Sequence, residues 1–256
     1  RVSLSNVHLP LDQHGEEIFT GELDVMWHDD FYYFYINDWS TSCPGVNCCT
    51  TRWGCAGHCY EKADQPPYVR GCRDPKNGSS PYGLYHFVRV YRTADLTAFE
   101  NLGIALSVQD RPQGTMFRPK VIFNQQDEVF VMWFNVNQRY VVATSSVPEG
   151  PFTVLKDRVT MPFKPQHGDY DLFVDEDGSA YHVRRSFRHP SGDPSQPGLP
   201  FRSAVVKLNA HYTGPARLVS ILRAPIEIEA PVMFKRKGKY YVLTGKTCCA
   251  CIVGSN

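Results

Sequence analysis

Three acidic residues stand at matching places in this chain. Glu22 precedes Asp29 by seven residues, Asp169 precedes Glu176 by seven and Glu229 precedes Arg236 by seven. Asp29, Glu176 and Arg236 each lie in or beside a polar turn between two apolar stretches. At the one remaining turn of this kind, the residue seven before Asn124 is Phe117. An acid buried at the start of a strand is costly unless it has partners or a task. Carboxylates gathered from separate segments suit acid–base chemistry, because one makes ionisation of the other harder. Glu229, Asp169 and Glu22 are therefore the candidate catalytic residues. Pro231, two residues after Glu229, removes a backbone donor and stiffens the start of that strand. The plainer alternative is that Asp169 and Asp171 cap a turn while Glu229 pairs with an arginine. Arg118 and Lys120 alternate along one stretch and so share a face, where one of them is expected to orient an acid.

The elements that must position these residues form a repeat. Val25–Ile36, Val121–Phe134, Leu172–Val183 and Val232–Thr244 each read as a short apolar strand, a polar turn and an aromatic strand. Three of them are followed by a further strand pair, at Phe87–Asn101, Tyr140–Leu155 and Ser203–Leu222. Helical periodicity is nearly absent. Four-stranded units recurring at roughly 50–60 residues are the mark of propeller blades. A β-sandwich, the competing architecture, does not repeat a four-strand unit. The expectation is one all-β domain over residues 1–256, a propeller of the five-bladed type. About four blades and the start of a fifth would be present, with a Cys-rich insertion at about 41–82 in the first blade. In a propeller the first strand of each blade lines the central channel, so Glu22, Phe117, Asp169 and Glu229 are expected to ring its mouth.

Composition narrows the class. The chain has 256 residues, 42% of them hydrophobic, enough for one large all-β domain or two small ones. Its 14 Tyr, 15 Phe and 4 Trp suit strands and surfaces that hold sugar rings alike. The formal net charge of +1 comes without any Lys/Arg block, which argues against nucleic acid as a partner. No apolar run approaches the roughly 18–20 residues of a membrane-spanning helix. Six of the nine cysteines fall between Cys43 and Cys72, and Cys248, Cys249 and Cys251 close the chain. Cys55-x-x-His58-Cys59 hints at metal but lacks paired C-x-x-C knuckles, so disulfides stapling a long loop are the plainer reading. With the sequon Asn77-Gly78-Ser79 they point to a secreted, extracellular, glycosylated protein. The odd cysteine count leaves one thiol free or paired with another chain, which makes self-association or an intermolecular disulfide an expectation. His28, His167 and His182 have no paired ligand spacing and read as hydrogen-bonded channel or surface residues; no metal site is assigned.

Four stretches together carry a resemblance to glycoside hydrolase family 43, strongest to its exo-β-1,3-galactanase branch. They are Arg118-Pro119-Lys120-Val121-Ile122-Phe123-Asn124; Ala143-Thr144-Ser145 with Pro148-Glu149-Gly150-Pro151-Phe152-Thr153; Asp169 to Gly178; and Glu229-Ala230-Pro231 to Tyr241. The resemblance covers most of Ile18–Gly245 outside the Cys-rich insertion. It implies a five-bladed propeller that hydrolyses a β-linked galactan or related polysaccharide with inversion. Glu229 matches the general acid, and Asp169 the carboxylate that orients it and raises its pKa. Glu22 stands where most members carry the base that activates water, although theirs is Asp and the galactanase branch has a His-Gly-Gly-Gly run there. An inverting pair stands roughly 6.5–9.5 Å apart, leaving room for that water. Phe117 replaces a substrate-contacting Glu of the galactanase branch and offers a ring face to a sugar. Arg118, Asp171 and Trp39 are the other expected substrate contacts; Trp53 and Tyr82 are weaker aromatic candidates. Some members hold a calcium ion through a fifth-blade His, but this sequence does not support one and no cofactor is expected. The departures at Phe117 and in the last blade leave a second possibility open, a catalytically silent glycan-binding or structural module.

Overall fold

The computed structural model describes residues 10–16, 18, 22–38, 86–137, 139–163, 168–185, 187–188, 201–224 and 228–246. All fifteen elements among them are strands. They are β1 (Leu23–His28), β2 (Phe31–Asp38), β3 (Phe87–Thr93), β4 (Glu100–Leu106), β5 (Met116–Asn124), β6 (Val129–Val136), β7 (Arg139–Ser145) and β8 (Thr153–Val159). There follow β9 (Tyr170–Val174), β10 (Ala180–Arg184), β11 (Phe187–Arg188), β12 (Phe201–Leu208), β13 (Pro215–Ala224), β14 (Ile228–Arg236) and β15 (Lys239–Lys246). Three sheets run in chain order, β1-β2-β3-β4, β5-β6-β7-β8 and β9-β10-β12-β13 with β11 against the end of β12; β14-β15 forms a hairpin. Among the described residues no helix is long and apolar enough to cross a membrane.

Residue type explains the order within each sheet. The second and third strands are apolar on both faces, as in VFVMWFNV of β6 and YVVA of β7, where nearly every residue is buried. Strands read that way only when both faces are covered. The fourth strands, TVLKDRV and PARLVSILRA, are mostly exposed and carry Lys156, Asp157, Arg158, Arg217 and Arg223, charges that blunt a free sheet edge. The turns are set by local chemistry. His28 pairs with Phe31 and Arg236 with Lys239, leaving two-residue loops. Asp29, Asp30, Lys237 and Gly238 all take positive φ there, the backbone of a type I′ turn.

All four hairpins expected from the sequence are present, as are the three further strand pairs. The described residues hold three complete sheets and the inner hairpin of a fourth, arranged as the blades of a propeller are. The nine cysteines, Trp39, Trp53, Tyr82, His167 and the sequon all lie outside the described residues.

Contacts divide the chain into two compact units, Arg1–Pro119 with Val147–Val154, and Lys120–Ser146 with Leu155–Asn256. The first packs Ile18, Ile36, Tyr91 and Phe99. In the second, Ile122, Val131, Trp133, Tyr140 and Val142 meet Tyr170, Leu172, Val206, Leu208 and Tyr212. Met233, with Val242, attaches β14-β15 to Val183 and Val205. His182 corrects an expectation: it is neither a channel nor a surface residue but fully buried. Its ring stacks on Tyr170 at 4.9 Å and faces Trp133, Tyr140 and Phe163. Burial first, and Arg184 second, push its pKa down to about 3, so it packs as a neutral aromatic ring.

A polar clamp fastens the last hairpin. Lys235 Nζ donates to Asp175 at 2.7 Å, and the Tyr240 hydroxyl donates to the same carboxylate. The Lys235 hydrogen bond, then that from Tyr240, hold Asp175 down to about 2. A depressed carboxylate adds stability that is complete above its unfolded value, about 3.9, and is lost as pH falls towards the folded one. Asp175→Asn should therefore lower Tm at neutral pH, and the gap from wild type should close between about pH 4 and pH 2. Thermal unfolding across that range checks this; a gap that stays constant would refute the clamp.

Candidate functional site

The four positions aligned from sequence fall at the starts of the first strands of the four sheets. Glu22 immediately precedes β1, Phe117 is the second residue of β5, Asp169 immediately precedes β9 and Glu229 is the second residue of β14. A turn-anchored spacing of seven found them because hairpin length is a local property.

In the second unit Asp169 and Glu229 come together. The Asp169 Oδ2 atom accepts the backbone N–H of Ala230, the residue after Glu229, at 3.2 Å. Ala230 has φ +46°, a left-handed backbone that non-glycine residues rarely adopt, and the β14-β15 register shifts between Glu229 and Val232. This bulge turns the Ala230 N–H out of the ladder and towards Asp169. Glu229 itself forms an ion pair with Arg185, Nη1 to Oε1 at 2.7 Å, with a fifth of its side chain exposed. The plainer alternative from sequence, an arginine partner for Glu229, thus holds alongside the juxtaposition with Asp169. Gly168 anchors the other side: its carbonyl accepts from Asn135 Nδ2 and from the Tyr140 hydroxyl, both at 3.2 Å. Tyr140 is fully buried, and desolvation raises its pKa far above the ordinary phenol value, so it remains a donor.

Asp171, one turn of the pleat further along β9, has both carboxylate oxygens engaged. Lys120 Nζ lies 3.1 Å from Oδ1, and the Met233 N–H donates to Oδ2 at 3.0 Å. It is buried and ties β14 to β9.

The first unit repeats the device. Glu22 Oε2 accepts the backbone N–H of Arg118 at 2.7 Å, and Arg118 has φ +54°. Asn37 Nδ2 donates to the same oxygen at 3.1 Å, and Arg118 Nε lies 3.6 Å from Oε1. Each acid before a first strand is thus met by the N–H of a left-handed residue near the start of another first strand: Arg118 after Phe117, Ala230 after Glu229. The expectation that Arg118 or Lys120 orients an acid holds for both, Arg118 with Glu22 and Lys120 with Asp171. Phe117 packs edge-on to His86 at 6.1 Å. His86 is fully buried, and burial pushes its pKa down to about 4, so the ring is neutral and its Nδ1 donates to the Met116 carbonyl at 3.0 Å. Arg111 Nε supports it by donating to the His86 carbonyl at 2.8 Å.

Sequence reasoning missed Asn37, His86, Arg111, Tyr140 and Arg185. One signal was available. Gly21-Glu22-Leu23-Asp24 and Gly168-Asp169-Tyr170-Asp171 share a Gly-acid-apolar-acid pattern at the same place in the repeat, which marks the preceding glycine as part of the design. His28 lies 3.3 Å from Asp29 at the opposite end of the β1-β2 hairpin from Glu22. Among the described residues no three His, Cys, Asp or Glu side chains are grouped so as to hold a metal ion.

Comparison with known proteins follows the same lines. No curated protein matches the chain at a significant level. Its fold is similar to that of an exo-β-1,3-galactanase from Clostridium thermocellum (TM-score 0.65, 23% identity), covering 96% of this chain and 46% of that one. It is likewise similar to an exo-β-1,3-galactanase from Phanerochaete chrysosporium bearing β-1,3-galactotriose (TM-score 0.63, 22% identity, 94% and 47% covered). A thermostable family-43 glycoside hydrolase is more distant, with TM-score 0.54 and 18% identity over 89% of this chain and 64% of that one. The chain spans about half the length of the two galactanases. These likenesses show the propeller fold, here in its all-β, sheet-by-sheet form. The model of the glycosyl hydrolases family 43 matches residues 77–251, more than half of the chain, and the chain belongs to that family.

Proposed function

We propose that the protein is a glycosidase that cleaves β-linked galactan, or a related polysaccharide, with inversion at the anomeric carbon. Glu229 donates a proton to the departing glycosidic oxygen as its bond to the anomeric carbon breaks. Asp169 makes loss of that proton harder in the resting site. Water attacks the opposite face of the sugar and gives up its proton to a base, the role we assign to Glu22. Phe117 and Arg118 would contact the sugar beside Glu22. No cofactor enters this scheme.

One observation carries the reading: in a family-43 chain, Asp169 is bonded to the peptide that follows Glu229, at the starts of two first strands. The likeness to exo-β-1,3-galactanases supports galactan as the substrate class. The nine cysteines and the sequon support an extracellular setting.

The test is product stereochemistry. Proton NMR of the purified protein acting on β-1,3-galactan and on xylan and arabinan controls should show the α-anomer of the released sugar before mutarotation. A β-anomer as first product would overturn the inverting scheme. Glycan binding with no turnover on any of the polymers would favour the silent glycan-binding module instead.

A further inference from the structure

Resting on the glycosidase reading, the geometry points to a further member of the site. We propose that Arg185 is a positioning residue that holds the Glu229 carboxyl for proton delivery, and that position 168 is glycine so that the Arg185 side chain can cross it. Arg185 follows directly on β10. Its N–H donates to the Asp169 carbonyl at 2.7 Å, which ties the end of β10 to the start of β9. Its side chain then runs over Gly168 to reach Glu229. A Cβ built on Gly168 would lie 2.9 Å from Arg185 Nε, closer than such contacts occur, and a tight 3.3 Å from its Cδ, and Gly168 has φ +113°. The guanidinium, the bare Cα and the acid are thus fitted to one another. The Gly168 carbonyl, pinned by Asn135 and Tyr140, fixes the peptide over which Arg185 passes.

The repeat supports the assignment. In the first unit the residue whose N–H donates to the Glu22 carbonyl, at 2.9 Å, is Asn37. Its side chain donates to the Glu22 carboxylate at 3.1 Å. The same position in the second unit is Arg185, and its longer side chain reaches the acid of β14 instead. At this position of the repeat, the side chain serves a carboxylate in both units.

Glu229 is therefore flanked on two sides: the Arg185 guanidinium pairs with its carboxylate, and Asp169 holds the peptide that follows it. Across the hairpin stands Gly245, with no side chain. Of the other charged groups on the packed strands, Asp171 pairs with Lys120 and Asp175 with Lys235, Arg184 lies over the Phe163 ring at 4.4 Å, and Arg202 and Arg223 stand on β12 and β13. A general acid works only while protonated, so the alkaline limb of the pH–rate profile reports its proton affinity.

The experiment uses the full-length protein and the variants Arg185→Met, Arg185→Lys, Gly168→Ala, Asp169→Asn and Glu229→Gln. It reads kcat, KM and the pH profile on β-1,3-galactan, and also a carbon-13 titration of the Glu229 carboxyl, assigned by its loss in Glu229→Gln. Arg185→Met should cut kcat about 10²-fold, since a misplaced proton donor loses that much. KM should change far less. The alkaline limb and the carboxyl titration should both move up by about one pH unit, and Asp169→Asn should move both down. Arg185→Lys should hold the limb near wild type, because it keeps the charge, while failing to restore kcat. Gly168→Ala should copy Arg185→Met in direction, and the double variant should be no worse than the worse single one. If Arg185→Met moves neither the limb nor the titration while Glu229→Gln is inactive, the Arg185 proposal is overturned and the glycosidase reading stands. If Glu229→Gln is fully active, Glu229 is not the proton donor; if the wild-type protein turns over no polymer, the glycosidase reading fails, and the carboxyl titration in Arg185→Met still decides whether Arg185 governs Glu229.

Discussion

Glu229→Gln should lower kcat on β-1,3-galactan by about 10²–10⁴-fold, the share of the rate that general acid catalysis supplies. The amide has nearly the shape of the acid and its oxygen still accepts from Arg185 Nη1, so the site stays assembled and KM changes little. What is lost is the proton that must reach the leaving oxygen. A galactoside whose leaving group is a strongly acidic phenol departs without protonation, so its hydrolysis should fall much less. Comparing the two substrates in wild type and variant separates loss of the proton donor from general damage. Equal loss on both would mean that Glu229 holds the site together without donating a proton; no loss on either would remove it from the reaction.

The second large effect is on stability. Trp133→Ala should cost about 3–5 kcal/mol, the range for emptying a large aromatic site in a packed core. Trp133 is fully buried at the centre of β6 and contacts Tyr140 and His182. Its indole N–H donates to the Tyr212 carbonyl at 2.7 Å, so truncation leaves both a cavity and an acceptor without its donor. Trp133→Phe fills more of the space but loses the same hydrogen bond, and should fall between the two. Urea unfolding gives the numbers, and a loss below about 1 kcal/mol for Trp133→Ala would mean that the core relaxes around the gap. Trp133 packs against Tyr140, whose hydroxyl pins Gly168. Activity in Trp133→Ala should therefore fall more steeply with temperature than in Glu229→Gln.

Much of the frame was legible before any coordinates. Alternation, aromatic content and turn residues are local, so the four hairpins and the three outer pairs could be located, with their ends within about five residues. Aligning them on their turns brought Glu22, Phe117, Asp169 and Glu229 to the same point of each first strand. The place of His182 was less legible. A histidine in an aromatic strand looks polar in sequence, and only the closing of one sheet over the next buries its ring among Trp133, Tyr140 and Tyr170.

By itself, then, the chain's sequence determined which residues begin each first strand and that three of those four are acids. Tertiary structure decided what meets each acid: the peptide of Arg118 for Glu22, that of Ala230 for Asp169, and the guanidinium of Arg185 for Glu229. The physical reason is range. Strand period and turn type depend on neighbours a few residues apart, whereas these partners are 96, 61 and 44 residues away in the chain. Their meeting depends on how one sheet packs against the next and on left-handed backbone at two non-glycine residues, which no local pattern encodes.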